Sequence, residues 1–143
     1  MKDEIFFDTN IIAYAFDEFD PKKRKICEDL VEKTFKGEIS GHISNQVLSE
    51  LFVVLTRKMK KPVSKDIAST IVESLIDSEK WAKINYDHET VKKSLIQTKT
   101  TNTSFWDILI AETMRENGIV KIYTENEEDF KKIPGIKIIN PFK

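Results

Sequence analysis

The sequence predicts an α/β fold in which an open, mostly parallel sheet of four to five strands lies between two layers of helices. Two patterns predict it. Short apolar runs alternate with longer stretches whose apolar residues recur at helical spacing, and enough chain separates successive runs for the crossover helix that parallel strands require. Length agrees: 143 residues suit one compact domain, 1–143, able to bury roughly two-thirds of the surface its unfolded chain exposes.

Glu4-Ile5-Phe6-Phe7 reads as a short buried strand, followed by a helical run over 10–16. Asp20-Pro21 opens a second helix to about Phe35, with Asp20 as cap and Pro21 at the first helical position, where a missing N–H costs nothing; Gly37 ends it. His42-Ile43-Ser44 predicts a second strand leading into an apolar helix over 45–60. Ser64 caps a further helix in which Ile67, Ile71, Leu75 and Ile76 recur at helical spacing. Lys83-Ile84-Asn85-Tyr86 reads as a third strand, and Asp87 caps the helix carrying Val91 and Leu95. A polar loop over 98–103 precedes a helix opened by Ser104 and closed by Gly118. The last two strands are expected over 119–123 and 136–139, with a short acidic turn or helix over 127–130 between them. The chain shows no internal repeat, low-complexity tract or linker.

Composition narrows the function classes. With 40% hydrophobic and 33% charged residues and only 4 Gly and 4 Pro, the chain is neither fibrous nor disordered. No segment approaches the roughly 20 apolar residues that span a bilayer, and the charged opening Met1-Lys2-Asp3-Glu4 lacks the pattern of a secretory signal, so a cytoplasmic location is expected. Cys27 is the single cysteine and sits on a helical pattern where a small core hydrophobe belongs. A net charge of −1 neither requires nor excludes a nucleic-acid partner, since a few clustered cations suffice to hold phosphates.

The informative residues are acids. In open parallel sheets the crevice beyond the carboxyl ends of the strands is the usual ligand site. Asp8 ends the first strand, Glu50 lies in the second turn of the helix after the second strand, Asp107 lies in the first turn of its helix, and Asp129 follows the fourth strand. Each also has a local reading. Asp8 can cap the helix that follows it, and Ser104-Phe105-Trp106-Asp107 has the form of a capping box with Asp in place of Glu. Glu50 resists a local reading, because Val47, Val53 and Val54 share its face and no Lys or Arg follows on that face until Arg57. Carboxylates gathered on one edge repel one another, and oxygen-ligated Mg²⁺ or Mn²⁺ reverses that penalty. Zinc fits less well, since Cys27 is isolated and His42 and His88 have no ligand spacing.

At these residues the chain resembles the PIN-domain family, and within it the VapC-like ribonuclease toxins of toxin–antitoxin pairs. Phe6-Phe7-Asp8-Thr9-Asn10 is similar to the family's opening strand and Asp-Thr-Asn signature, Asn45-Gln46-Val47-Leu48-Ser49-Glu50-Leu51 to its Glu-bearing helix, and Trp106-Asp107-Ile108-Leu109-Ile110-Ala111 to its third acid at a helix start. Tyr123-Thr124-Glu125-Asn126-Glu127-Glu128-Asp129-Phe130 resembles its closing element, with Asn126 where many relatives carry Asp.

The resemblance implies hydrolysis of an RNA phosphodiester by a metal-activated water. Asp8, Glu50, Asp107 and Asp129 would form the catalytic and Mg²⁺- or Mn²⁺-binding set, supported by Thr9, Asn10, Thr124 and Asn126. It also implies an antitoxin protein as partner and a homodimer. Lys22-Lys23-Arg24-Lys25 and Arg57-Lys58-Met59-Lys60-Lys61 are candidate phosphate contacts or solvated helix faces, and only the second is expected near the acids. Two other readings stand beside this one. The first is a PIN-like domain that binds RNA or protein without cutting. The second is a Mg²⁺-dependent phosphoryl-transfer protein, against which Asp8-Thr9-Asn10 lacks a second acid two residues on and the chain lacks a glycine-rich phosphate loop.

Overall fold

A computed structural model describes residues 3–143; Met1 and Lys2, part of the charged opening read above, lie outside the described residues. Strands β1 (Glu4–Phe7), β2 (Ser40–Ser44), β3 (Ala82–Ile84), β4 (Lys121–Tyr123) and β5 (Lys137–Ile139) form one sheet in the order β3-β2-β1-β4-β5, every neighbouring pair parallel. Between them run α1 (Thr9–Tyr14), α2 (Pro21–Phe35), α3 (Asn45–Val53), α4 (Lys65–Asp77), α5 (His88–Gln97), α6 (Phe105–Glu116) and α7 (Glu127–Phe130). The chain starts at the central strand, winds outward through β2 and β3, then returns to the other side of β1 for β4 and β5. Because crossovers between parallel strands are right-handed, this reversal puts α1 to α4 on one face and α5 and α6 on the other. The interhelical packing agrees: α1 packs on α2 and α3, α3 on α4, and α5 on α6. The reversal also creates a switch point between β1 and β4, where Phe6 and Phe7 pair with Ile122 and Tyr123.

β1 is buried on both faces, which is why it reads as an unbroken apolar run. Phe7 meets Trp81 edge to face, with ring centroids 4.8 Å apart, and Trp81 meets Phe35 at 5.7 Å. Gly41 on β2 has a packing reason: a Cβ there would lie 2.4 Å from the Thr34 methyl of α2. Cys27 is fully buried, and burial pushes its thiol up to about 12, so it behaves as a core hydrophobe.

Helix starts follow the expected capping residues. The N–H groups of Lys23, Ile67 and Glu89 donate to the side chains of Asp20, Ser64 and Asp87. Gly37 adopts φ 80° just past α2, where a residue with a Cβ would be strained.

Three expectations are corrected. The helix over 45–60 is not uniform: regular α geometry ends at Val53, and Val54–Lys58 forms a π-helical turn, a wider coil that redirects the side chains at its end. The helix predicted from Val91 and Leu95 buries Thr90 and Ser94 instead, leaving Leu95 half-exposed; the Thr90 hydroxyl donates to Glu116 and the Ser94 hydroxyl to the Thr90 carbonyl, so neither buried hydroxyl is unpaired. In α4 Ala68 and Leu75 are buried and Ile71 and Val72 pack against the core, while Ile67 and Ile76 face outward. Among the described residues no helix is long and apolar enough to cross a membrane.

Candidate active site

β1 and β4 end side by side, and the first residue beyond each carries a site side chain. Asp8 follows β1 with its N–H donating to the Tyr123 carbonyl (3.0 Å), and Thr124 follows β4 with its N–H donating to the Ile139 carbonyl (3.1 Å). Asp8 is buried and held by three donors: the Thr9 N–H on Oδ1 (2.8 Å), and the Thr124 hydroxyl (2.7 Å) and Asn10 amide (3.2 Å) on Oδ2. Its N-cap role is therefore real, yet it accounts for only one of those contacts. The Asn10 side-chain Oδ1 accepts from the Glu125 N–H (3.3 Å), tying α1 to the segment after β4.

From Thr124 the polar chain continues. Its hydroxyl oxygen accepts the Asn126 N–H (3.0 Å), and the Asn126 side-chain amide donates to Asp107 Oδ2 and to Asp129 Oδ2, both at 3.1 Å. Asp8, Asp107 and Asp129, drawn from three separate regions of the sequence, are thus joined through Thr124 and Asn126. Asn126 has a definite task here. Between two carboxylates an amide supplies donors where another acid would add repulsion.

Asp107 is not part of a capping box. The Ser104 hydroxyl accepts from the Trp106 N–H (3.2 Å), and the Asp107 carboxylate turns instead to Asn126. Its pKa is raised from 3.8 to about 7, first by burial and then by the charges of Asp8, Asp129 and Glu50. Burial is also the main influence raising Asp8, with the Glu50 charge adding to it and the hydrogen bonds opposing it.

Glu50 reaches the same edge from α3. It is less enclosed than its valine neighbours suggested: it is half-buried, Val53 is exposed, and Gln46 one turn earlier donates to Oε1 (2.7 Å). The second proton on that amide points toward the Trp106 carbonyl (3.4 Å), so Gln46 links the Glu50 and Asp107 helices. Sequence reasoning passed over Gln46; its place four residues before Glu50 on one helix face was the available signal.

Asp8, Glu50 and Asp129 therefore all lie within electrostatic reach of Asp107, and Glu50 within reach of Asp8. Among the described residues no three carboxylate, histidine or cysteine side chains close around one point as a ready-made cage. The donor set nonetheless fits a hard cation of the Mg²⁺ type, which takes one or two protein carboxylates and fills the rest of its shell with water and phosphate oxygens. The raised Asp107 pKa marks the excess negative charge that such an ion would relieve. The histidines take no part: His42 sits in the sheet with Nδ1 3.2 Å from the Ser40 carbonyl, and His88 is exposed.

The basic segments also need adjusting. Lys58 lines the cleft that contains Glu50 and Asp107, as expected of its segment. Lys23, from the segment expected to lie apart, pairs with Glu125 beside Asn126 and lies over the rings of Tyr14 and Phe142 at 4.9 and 5.0 Å. Tyr14 donates to the other oxygen of Glu125 (2.6 Å), so this network anchors the segment that carries Thr124 and Asn126. Arg24 is engaged by Glu28.

A parallel sheet with acids ranged around the switch point at the carboxyl ends of its central strands defines a three-layer α/β domain with a candidate active-site edge. The family model for the PIN domain matches residues 5–136, and the chain belongs to the PIN-domain family. Solved structures share the fold. The VapC20 toxin of Mycobacterium tuberculosis, described as cleaving the sarcin–ricin loop, aligns with a TM-score of 0.72 and 18% identity, covering 93% of this chain and 97% of that one. A VapBC2 complex of Rickettsia felis bound to a promoter DNA fragment aligns at 0.63 and 22% identity, covering 96% and 98%. A DNA-bound VapBC of Salmonella typhimurium aligns at 0.63 and 20% identity, covering 99% of both chains. At these identities the likeness is one of fold. No curated protein matches the sequence.

Proposed function

We propose that the chain is an endoribonuclease that uses Mg²⁺ or Mn²⁺ at the Asp8–Asp107 edge, and that it serves as the toxin of a toxin–antitoxin pair in the cytoplasm. The observation that carries this reading is the hydrogen-bonded chain from Asp8 through Thr124 and Asn126 to Asp107 and Asp129, with the Asp107 carboxyl raised to about 7 by burial and then by the neighbouring acids. When bound, the cation supplies Lewis-acid activation of an attacking water and neutralises charge developing on the phosphate.

The chain's own residues have separable tasks. Asp8 and Asp107 hold the ion. Glu50, steered by Gln46, orients water at the edge of the site or accepts its proton. Asp129 adds negative charge, and Asn126 keeps Asp107 and Asp129 from separating. Thr124 and Asn10 fix the Asp8 carboxylate so that it presents a constant geometry. Because these donors occupy Asp8 on both oxygens, the carboxylate is better suited to ligation than to attack on phosphorus, which speaks against the phosphoryl-transfer reading. The antitoxin partner is supported by fold neighbours that are themselves complexes, among them a toxin–antitoxin complex of Klebsiella pneumoniae and DNA-bound VapBC assemblies, while the homodimer rests on the family resemblance alone.

The test has two readouts. Mg²⁺ or Mn²⁺ at about one hundred times its dissociation constant should stabilise the wild type by about 2.7 kcal/mol, and Asp8→Asn should lose most of that gain. Structured RNA should be cut by the wild type, with EDTA or Asp8→Asn abolishing cleavage. Equal stabilisation of both proteins would remove the metal site, persistent cutting in EDTA would demand a metal-free mechanism, and a metal-binding protein that cuts no RNA would be a binding module.

A further inference from the structure

Beside the acids opens a cleft of about 600 Å³, within the size range of small-molecule sites at ~300–1,000 Å³. Asp107 and Glu50 line it together with Lys58, Asn45, Asn85, Tyr86 and Trp106. The nuclease chemistry uses none of these last five residues.

Trp106 is the conspicuous one. At 58% exposure it leaves much of a large indole in water, whereas the chain's other tryptophan, Trp81, is 1% exposed. Exposed aromatic surface forgoes burial free energy, and Trp106 is not there by default. Its ring is braced edge-on by Phe105 at 5.7 Å, and its carbonyl is approached by the Gln46 amide that also holds Glu50. An indole braced along one side is therefore presented one residue away from Asp107. Among the described residues the side-chain amides of Asn45 and Asn85 and the Tyr86 hydroxyl make no hydrogen bond, and Lys58 makes no ion pair. The π-helical turn brings Lys58 to this rim. Aromatic faces, unspent amides and one cation are the components with which proteins hold unpaired bases: stacking, edge hydrogen bonds and a phosphate contact.

We propose that this cleft is a subsite for one unpaired nucleobase of the RNA, stacked on Trp106 and bonded at its edge by Asn45 and Asn85, with Lys58 on the adjoining phosphate. It rests on the nuclease reading, and a base inside a duplex could not enter it, because both its faces are covered and its pairing edge is occupied.

The two tryptophans make the test direct. In EDTA, acrylamide should quench Trp106 but not Trp81, and a mixed-sequence single-stranded RNA of about twelve nucleotides, within the span such grooves cover, should shield Trp106. A duplex of the same sequence should not. Trp106→Ala should weaken binding of the single strand roughly 5- to 150-fold, and Trp106→Phe should restore most of it; circular dichroism checks that the fold is kept. Equal shielding by duplex would overturn the subsite, as would wild-type affinity in Trp106→Ala or shielding that grows with protein concentration alone, the signature of copies meeting at this face. The two proposals fail separately. Shielding by a wild type that cuts no RNA removes the nuclease and leaves the subsite, while cutting that survives unchanged in Trp106→Ala removes the subsite alone.

Discussion

Asparagine at position 107 should stabilise the metal-free protein while abolishing its activity. The Asp107 carboxyl is raised from 3.8 to about 7, so the folded state holds a proton that the unfolded chain releases at lower pH. The sign follows from proton linkage: where the folded state binds more protons, stability falls as pH rises. Below pH 3.8 both states are protonated and nothing is lost. Between 3.8 and about 7 the loss accumulates, and above about 7 it is complete. At 1.36 kcal/mol per pH unit the whole displacement corresponds to about 4 kcal/mol, which solvent screening of this partly exposed group reduces to about 1–2 kcal/mol. Asp107→Asn removes that charge and leaves an isosteric group beside Asn126.

Thermal unfolding in EDTA from pH 4 to pH 8 checks this. The variant should match the wild type near pH 4 and melt roughly 3–8 °C higher at pH 8, taking about 3–4 °C per kcal/mol for a chain of this size. In saturating Mg²⁺ the order should reverse, since only the wild type gains from the ion. An Asp107→Asn protein that is less stable than the wild type at pH 8 in EDTA, or offset equally at every pH, would refute the crowded-acid picture.

Two further outcomes are expected. Thr124→Val removes the donor to Asp8 and the acceptor of the Asn126 N–H, both in a buried setting; it should cost about 1–3 kcal/mol in urea unfolding and weaken Mn²⁺ binding in the same preparation, and intact Mn²⁺ affinity would show that Thr124 does not position Asp8. Gly41→Ala should cost about 1–3 kcal/mol by overpacking, because its Cβ would meet the Thr34 methyl at 2.4 Å. Adding Thr34→Ser removes that methyl and should recover much of the loss, whereas no recovery would mean that the strain lies elsewhere.

The sequence by itself determined the alternation of strands and helices, the helix starts at Asp20, Ser64 and Asp87, and the positions of four acids beyond strand ends or in the first two turns of helices, because capping, apolar periodicity and strand-end placement are local physics written within a few residues. Tertiary structure alone decided which acids share a neighbourhood. That depends on the sheet reversing direction at β1, which sets Asp8 next to Thr124. Only the fold could show that Asn126 reaches Asp107 and that Lys23 is spent on Glu125, since these contacts join chain positions whose meeting no local pattern encodes; Gln46–Glu50 and Asn126–Asp129, four and three residues apart, were pairs the sequence permitted. It also decided which face of α5 turns inward, because burial follows what a neighbouring element offers, and the acceptor on Glu116 made room for the Thr90 hydroxyl where periodicity favoured a leucine.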